Sequence, residues 1–173
     1  MKNSTINSKL ICASVEAVYH AFTNPAALEK WQAPAGMTGK VHRFDWREGG
    51  GYEMSLFYPD TETEFRGKTS LREDRYISKI IRLEPFQKIV QAIQFKTDDP
   101  AFAGEMIVEV IMDEKENGTE VTFFFKNIPV GIRPEDNEKG TLSTLEKLAH
   151  YAEAHDELDE QASDGSANAF DDK

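Results

Sequence analysis

Residues 31–54, WQAPAGMTGKVHRFDWREGGGYEM, hold the densest run of side chains and glycines that could do chemistry. A phosphate loop would use the Gly49, Gly50, Gly51 run to aim backbone amides at a phosphate. It would then need a Lys and a Ser or Thr, and a helix to follow. Here Tyr52 and Glu53 follow, and the pattern turns into a strand. A dinucleotide fingerprint fails for the same reason. The glycines read instead as a strand-to-strand turn, where a missing Cβ permits positive φ and close chain reversal. Asp45 and Arg47, two residues apart, project to one side of a strand and suit an ion pair near that turn. A catalytic carboxylate at Asp45 is the alternative.

Other chemistry-bearing residues are scattered. His20, His42, His150 and His155 share no metal-ligand spacing, and the last two are five apart where a helical metal pair needs four. No metal or cofactor is expected. No serine or threonine sits in a nucleophile elbow, and no histidine and acid flank one in a recognisable order. No compact carboxylate pair suggests glycoside hydrolysis, so no catalytic residue is assigned. Cys12 is the single cysteine; alone it forms no intramolecular disulfide, and its apolar surroundings read as those of a small buried hydrophobe.

The chain that must position these groups has 173 residues and a net charge of −11. That length fits one domain, which buries roughly 70% of the surface its unfolded form exposes. The negative charge opposes the counterion release that drives nucleic-acid binding, so nucleic acid is not an expected partner. There is no signal-peptide pattern and no apolar run of about 20 residues, so no membrane span is expected and the protein reads as cytoplasmic. From Glu153 onward eight acidic residues face only Lys173. Residues 1–162 read as the folded domain and residues 163–173 as an acidic disordered tail.

Local patterns supply the elements. INSKLICAS, residues 6–14, reads as a first strand. Ser14 is an N-cap for VEAVYHAF, with Val15, Val18, Tyr19 and Phe22 at helical spacing. Asn24 followed by Pro25 starts a second short helix, PAALEKW. Residues 38–127 read as six strands separated by turn signals, of which Asn117-Gly118 is a strong hairpin signal. Short turns favour antiparallel neighbours. A long amphipathic helix closes the chain, with Leu142, Leu145, Leu148, Ala149 and Ala152 as its apolar stripe. The sheet must cover its apolar face, and only this helix has enough apolar surface to do so. Where side chains between them are small, space remains for a small ligand.

Strand alternation then selects wall candidates. Tyr52, Met54, Leu56 and Tyr58 share the face turned to the helix, while Glu53 and Ser55 share the other. The same face takes Met106, Val108, Val110 and Met112, and also Ile89, Ile93 and Phe95, with Gln91 as a polar exception among them. Core packing is the competing role for all of these. Residues 60–75 form a long polar connection; Phe65 and Arg66 at its middle are candidates to cover a cavity mouth, Arg66 being able to grip a carboxylate.

This order of elements and several local runs resemble the START-like or SRPBCC superfamily, and within it the Aha-type branch named after activators of the Hsp-90 ATPase. VYHAFTNPAALEKWQAP is similar to that branch's opening. FDWREGGGYEM resembles its Phe, Asp, any, Arg, any, Gly, Gly signature through Phe44, Asp45, Arg47, Gly49 and Gly50. IIRLEPFQKIV and ENGTEVTFFF resemble its Leu, any, Pro turn and closing hairpin. The pattern's usual second tryptophan is Gln32 here, and its frequent aromatic near the start of the last helix is Thr141; both positions bear on cavity size and polarity.

The resemblance implies an α+β helix-grip fold: a curved antiparallel sheet of about seven strands around a long C-terminal helix, with two short helices after strand 1. It covers residues 14–153. The function read first is a non-catalytic binding protein for a small hydrophobic or amphipathic molecule. Trp31 stands at the entrance; Tyr52, Met54, Leu56, Tyr58, Ile93, Phe95, Met106, Val108 and Leu145 form the walls; Phe65, Arg66 and Gln91 complete the site. The second reading, which the branch's name implies, is a chaperone-associated interaction module. The third is a cyclase- or hydratase-like enzyme using the same cavity. A monomer or homodimer suits all three.

Overall fold

The computed structural model describes residues 3–60, 67–70 and 72–167. Strand β1 (Thr5–Ile11) leads into helices α1 (Val15–His20) and α2 (Pro25–Trp31). Six strands follow: β2 (Thr38–Asp45), β3 (Gly51–Phe57), β4 (Glu73–Glu84), β5 (Lys88–Phe95), β6 (Met106–Lys115) and β7 (Gly118–Lys126). A 3-10 turn (Pro100–Phe102) lies between β5 and β6, and helix α3 (Pro134–Ala167) ends the described chain. The strands form one sheet in the order β1-β7-β6-β5-β4-β3-β2. Every pairing is antiparallel. The two short helices thus carry the chain from one edge to the other, and a meander brings it back to β1.

The capping signals act as their chemistry dictates. The Ser14 hydroxyl accepts a hydrogen bond from the Ala17 amide at 3.2 Å, and the Asn24 side chain accepts from Ala26 at 2.8 Å ahead of Pro25. The acidic run of α3 ties down the same corner: Asp156 accepts from the Ser14 hydroxyl at 2.8 Å and amide at 3.1 Å, and Glu153 from the Cys12 amide at 3.1 Å. Cys12 itself is exposed, because Ile11 and Ala13 take the inward positions on either side of it.

The glycine run is a turn. Gly49 has φ +83°, and a Cβ on Gly51, at φ +149°, would stand 1.9 Å from the Ser78 carbonyl oxygen. Only glycine lets β3 approach β4 there. The Arg47 guanidinium donates to both oxygens of Asp45, at 2.9 and 3.1 Å, beside the turn. Register shifts between Val41 and Arg43 and between Ile80 and Arg82 mark bulges that bend the sheet.

Helix α3 packs against β1, α1 and α2. Leu145, Leu148, Ala149 and Ala152 are buried as the stripe predicts, but Leu142 is half exposed; Thr141 takes the inward place one residue earlier. The helical backbone runs on through Ala167, so residues 163–167 of the expected tail are helical and residues 168–173 lie outside the described chain.

Candidate ligand-binding cavity

The inward face of the sheet is closed by side chains along most of its length. Trp31 is fully buried, packs edge-on against Phe22, and donates its indole N–H to the Ala21 carbonyl at 2.8 Å. Tyr52, Met54, Val108 and Leu145 are also fully or almost fully buried, and Ile93 and Gln91 nearly so. These residues make the core, not the surface of an open space. Within it Tyr52 sits beside Ser78, Gln91 and Tyr76; burial pushes the Tyr52 hydroxyl up and the Tyr76 hydroxyl well up. The Tyr76 hydroxyl donates to the Met54 sulfur at 3.4 Å.

Toward the other end the sheet and α3 part, and a cavity of about 520 Å³ opens to solvent. Its sheet wall carries four of the residues expected to line it: Leu56 near the end of β3, Tyr58 just beyond it, Phe95 at the end of β5 and Met106 at the start of β6. Phe123 and Phe125 of β7 complete that wall. Strand alternation points them inward with Val121, a signal present in the run TEVTFFF. The opposite wall is the first turns of α3, with Asn137, Gly140, Thr141 and Thr144, and the segment after α2, with Gln32, Pro34 and Met37. Phe65 and Arg66 lie outside the described residues.

A polar cluster that no sequence pattern disclosed sits among these apolar walls. Asp74 accepts from the Tyr58 hydroxyl at 2.9 Å, from the Lys68 backbone amide, and from the Lys68 ammonium at 2.7 Å. The ammonium also reaches the Tyr58 oxygen at 3.4 Å and lies 5.7 Å from the centre of the Phe95 ring. Burial disfavours the charge on Lys68, but Asp74 and Tyr58 outweigh it and hold the ammonium above the ordinary lysine value. Burial pushes the Tyr58 hydroxyl up as well. The group is therefore a neutral tyrosine beside a charged lysine and its counter-ion. At the mouth Arg133 grips Asp136 through two hydrogen bonds, of 2.9 and 3.0 Å.

On the outer face of the sheet, Ser55 lies between His42 and Glu73. Its hydroxyl donates to Glu73 and meets the His42 ring nitrogen at 2.8 Å. An activated serine would give its proton to the histidine. With the proton committed to Glu73 and Ser55 fully buried, this cluster is a cross-strand tie.

Residues 12–153 match the model of a family described as Activator of Hsp90 ATPase homolog 1-like protein. The chain belongs to this family. Solved structures with this architecture include a crystal structure of a protein from Chromobacterium violaceum, 28% identical, covering 88% of this chain and 99% of that one with a TM-score of 0.78. The solution structure of an AHSA1-like protein from Aeromonas hydrophila is 18% identical, covers 88% and 93% of the two chains, and superposes with a TM-score of 0.66. A solution structure from Staphylococcus epidermidis, 19% identical, covers 90% and 92% with a TM-score of 0.70. No curated protein matches the chain. The helix-grip architecture is thus that of the AHSA1-like proteins. Gln32 and Thr141 both stand on the cavity wall. Among the described residues no helix is long and apolar enough to cross a membrane.

Proposed function

We propose that this AHSA1-like protein is a non-catalytic binding protein for a small hydrophobic or amphipathic molecule held between the sheet and α3. The observation that carries the reading is the cavity itself. About 520 Å³ stands open beside a core in which Trp31, Tyr52, Met54 and Leu145 are fully packed. Its size falls within the range of small-molecule sites, and its mixture of aromatic walls with a few convergent polar groups is what such sites use. Leu56, Tyr58, Phe95 and Met106 are the contact residues in this reading; Trp31, Tyr52, Met54, Gln91, Ile93, Val108 and Leu145 hold the walls in place. The test is a thermal-shift and native mass-spectrometry screen against lipids and aromatic metabolites. A true ligand at one hundred times its Kd adds about 2.7 kcal/mol to stability. If no compound shifts the melting temperature or survives as a complex in the gas phase, the reading fails.

One observation favours a second reading, a module that contacts a chaperone. Ile6 and Leu10 of β1 and Ile111 of β6 are exposed on the outward face of the sheet, on the two strands that flank β7, the kind of apolar surface that protein partners cover. Turnover by a purified Hsp90-type ATPase, measured with and without this protein, decides it: an unchanged rate removes the reading.

A further inference from the structure

Among the described charged side chains of the lining, the spare hydrogen-bonding capacity is donor, and the Gln32 and Asn137 amides are the neutral groups that also offer an acceptor. Asp74 accepts three hydrogen bonds, and only 4% of its side chain is exposed. Asp136 has both oxygens engaged by Arg133. The Tyr58 proton is committed to Asp74, the Thr141 hydroxyl donates to the Asn137 carbonyl at 2.7 Å, and the Asn137 amide donates to Thr5 at 2.7 Å. An ammonium has three N–H donors and a guanidinium five. Lys68 uses two of its three, on Asp74 and Tyr58, and Arg133 uses two of its five, on Asp136. The Lys68 side chain is 24% exposed against the 4% of its counter-ion, so what the cavity meets is the cation.

Charge points the same way. The lining carries Lys68, Arg133 and Lys139 against Asp74 and Asp136, a positive balance within a chain whose net charge is −11. An anion entering this mouth leaves a surface that repels it for one that holds it, whereas a cation would face Lys68 with both carboxylates of the described lining already engaged.

From this geometry we infer that the ligand is an amphipathic carboxylate, its head held by the third N–H of Lys68 and its apolar body against Phe95, Met106, Phe123 and Phe125. The inference rests on the proposal that the cavity binds a small molecule, and it adds the charge and the direction of entry. The head lies at the Lys68, Tyr58 and Asp74 cluster, where a charge-assisted hydrogen bond is strongest because the site is partly desolvated. Arg133 and Lys139 at the rim attract the anion without fixing it.

The test compares three probes of equal length on the full chain by isothermal titration calorimetry: decanoate, decanol and decylamine. Decanoate is expected to bind about tenfold or more tightly than decanol, the advantage of a charge-assisted hydrogen bond over a neutral one, and decylamine weakest. Lys68→Gln is expected to erase the difference between acid and alcohol while leaving decanol binding in place. Arg133→Gln, at an exposed position that folding tolerates, is expected to weaken decanoate alone, by a few-fold, with the loss diminishing as salt is raised. If decanol or decylamine binds the wild type as tightly as decanoate, the inference is wrong and the cavity proposal stands. Should none of the three bind, both fall. Should Lys68→Gln fail to fold, the wild-type order and Arg133→Gln decide the matter.

Discussion

Gly51 shows how one residue type can be dictated by its neighbours across the sheet. Its φ of +149° and the 1.9 Å approach of a would-be Cβ to the Ser78 carbonyl leave an alanine nowhere to go without separating β3 from β4. Gly51→Ala is expected to cost about 2 kcal/mol or more in urea unfolding, against a few tenths for an unconstrained position. Glu53, on the outward face of the same strand, makes a pH-dependent contribution. Its carboxylate accepts from Lys96 at 2.8 Å and from Arg75 at 3.1 Å. The Lys96 hydrogen bond first, then Arg75, holds it below the ordinary value of 4.5 despite some desolvation. Because the folded-state value is the lower one, the stability it contributes is complete above the ordinary value and is lost as pH falls through the folded-state value. Glu53→Gln should therefore be less stable than wild type at pH 7, and the gap should close on acidification below about pH 4.5. A gap that stays constant down to pH 3 would show that the carboxylate's charge contributes nothing.

Helix α3 combines two opposite features along its length. Gly140 lines the cavity, and a Cβ there would meet nothing within 4 Å, so close packing is not what glycine serves at this position. Replacing it with alanine relieves the entropic cost of glycine in a helix and is expected to raise stability by about 1 kcal/mol. Two turns further on, Leu148 is fully buried in the core against the sheet and the short helices. Leu148→Ala should lose about 2–5 kcal/mol, the usual range for emptying a buried leucine site. Thermal unfolding of both variants checks the pair. If Gly140→Ala destabilises as well, the helix is already strained against the cavity wall, and α3 does not divide into an open end and a packed end.

At the scale of the molecule, the open end is a consequence of which side chains face one another across it. Thr141 and Gln32 both line the open space, so a larger side chain at either would have room to enter it. Thr141→Phe is therefore expected to fill the cavity, abolish ligand-induced thermal shifts, and leave the melting temperature of the ligand-free protein unchanged or higher, through added apolar burial. Retained ligand binding in a folded Thr141→Phe protein would place the site elsewhere. The same substitution separates the two functional readings, because a surface that contacts an ATPase on the outer face of the sheet does not depend on the cavity.

The sequence by itself determined the elements and most of the core. Capping at Ser14 and Asn24, the Asn117-Gly118 turn and the period-two runs of β3, β5, β6 and β7 are local signals, read within a few residues of where they act. They assigned Tyr52, Met54, Gln91, Ile93 and Val108 to the inward face, where all are buried. What alternation could not decide is whether an inward residue meets another side chain or open space, because that depends on how far α3 stands from the sheet at each point. Tyr52 and Tyr58 lie on one face of one run, yet one is core and the other is cavity wall. Lys68 and Asp74 lie in a polar connection with no periodicity, and Arg133 lies just ahead of the last helix with no pattern of its own, whereas Thr141 is marked only by the family resemblance. The Lys68–Asp74 pair is only six residues apart and Arg133–Asp136 three, but the tertiary structure decided that they meet the apolar walls of β5, β6 and β7, which are distant in sequence and leave no local pattern to read.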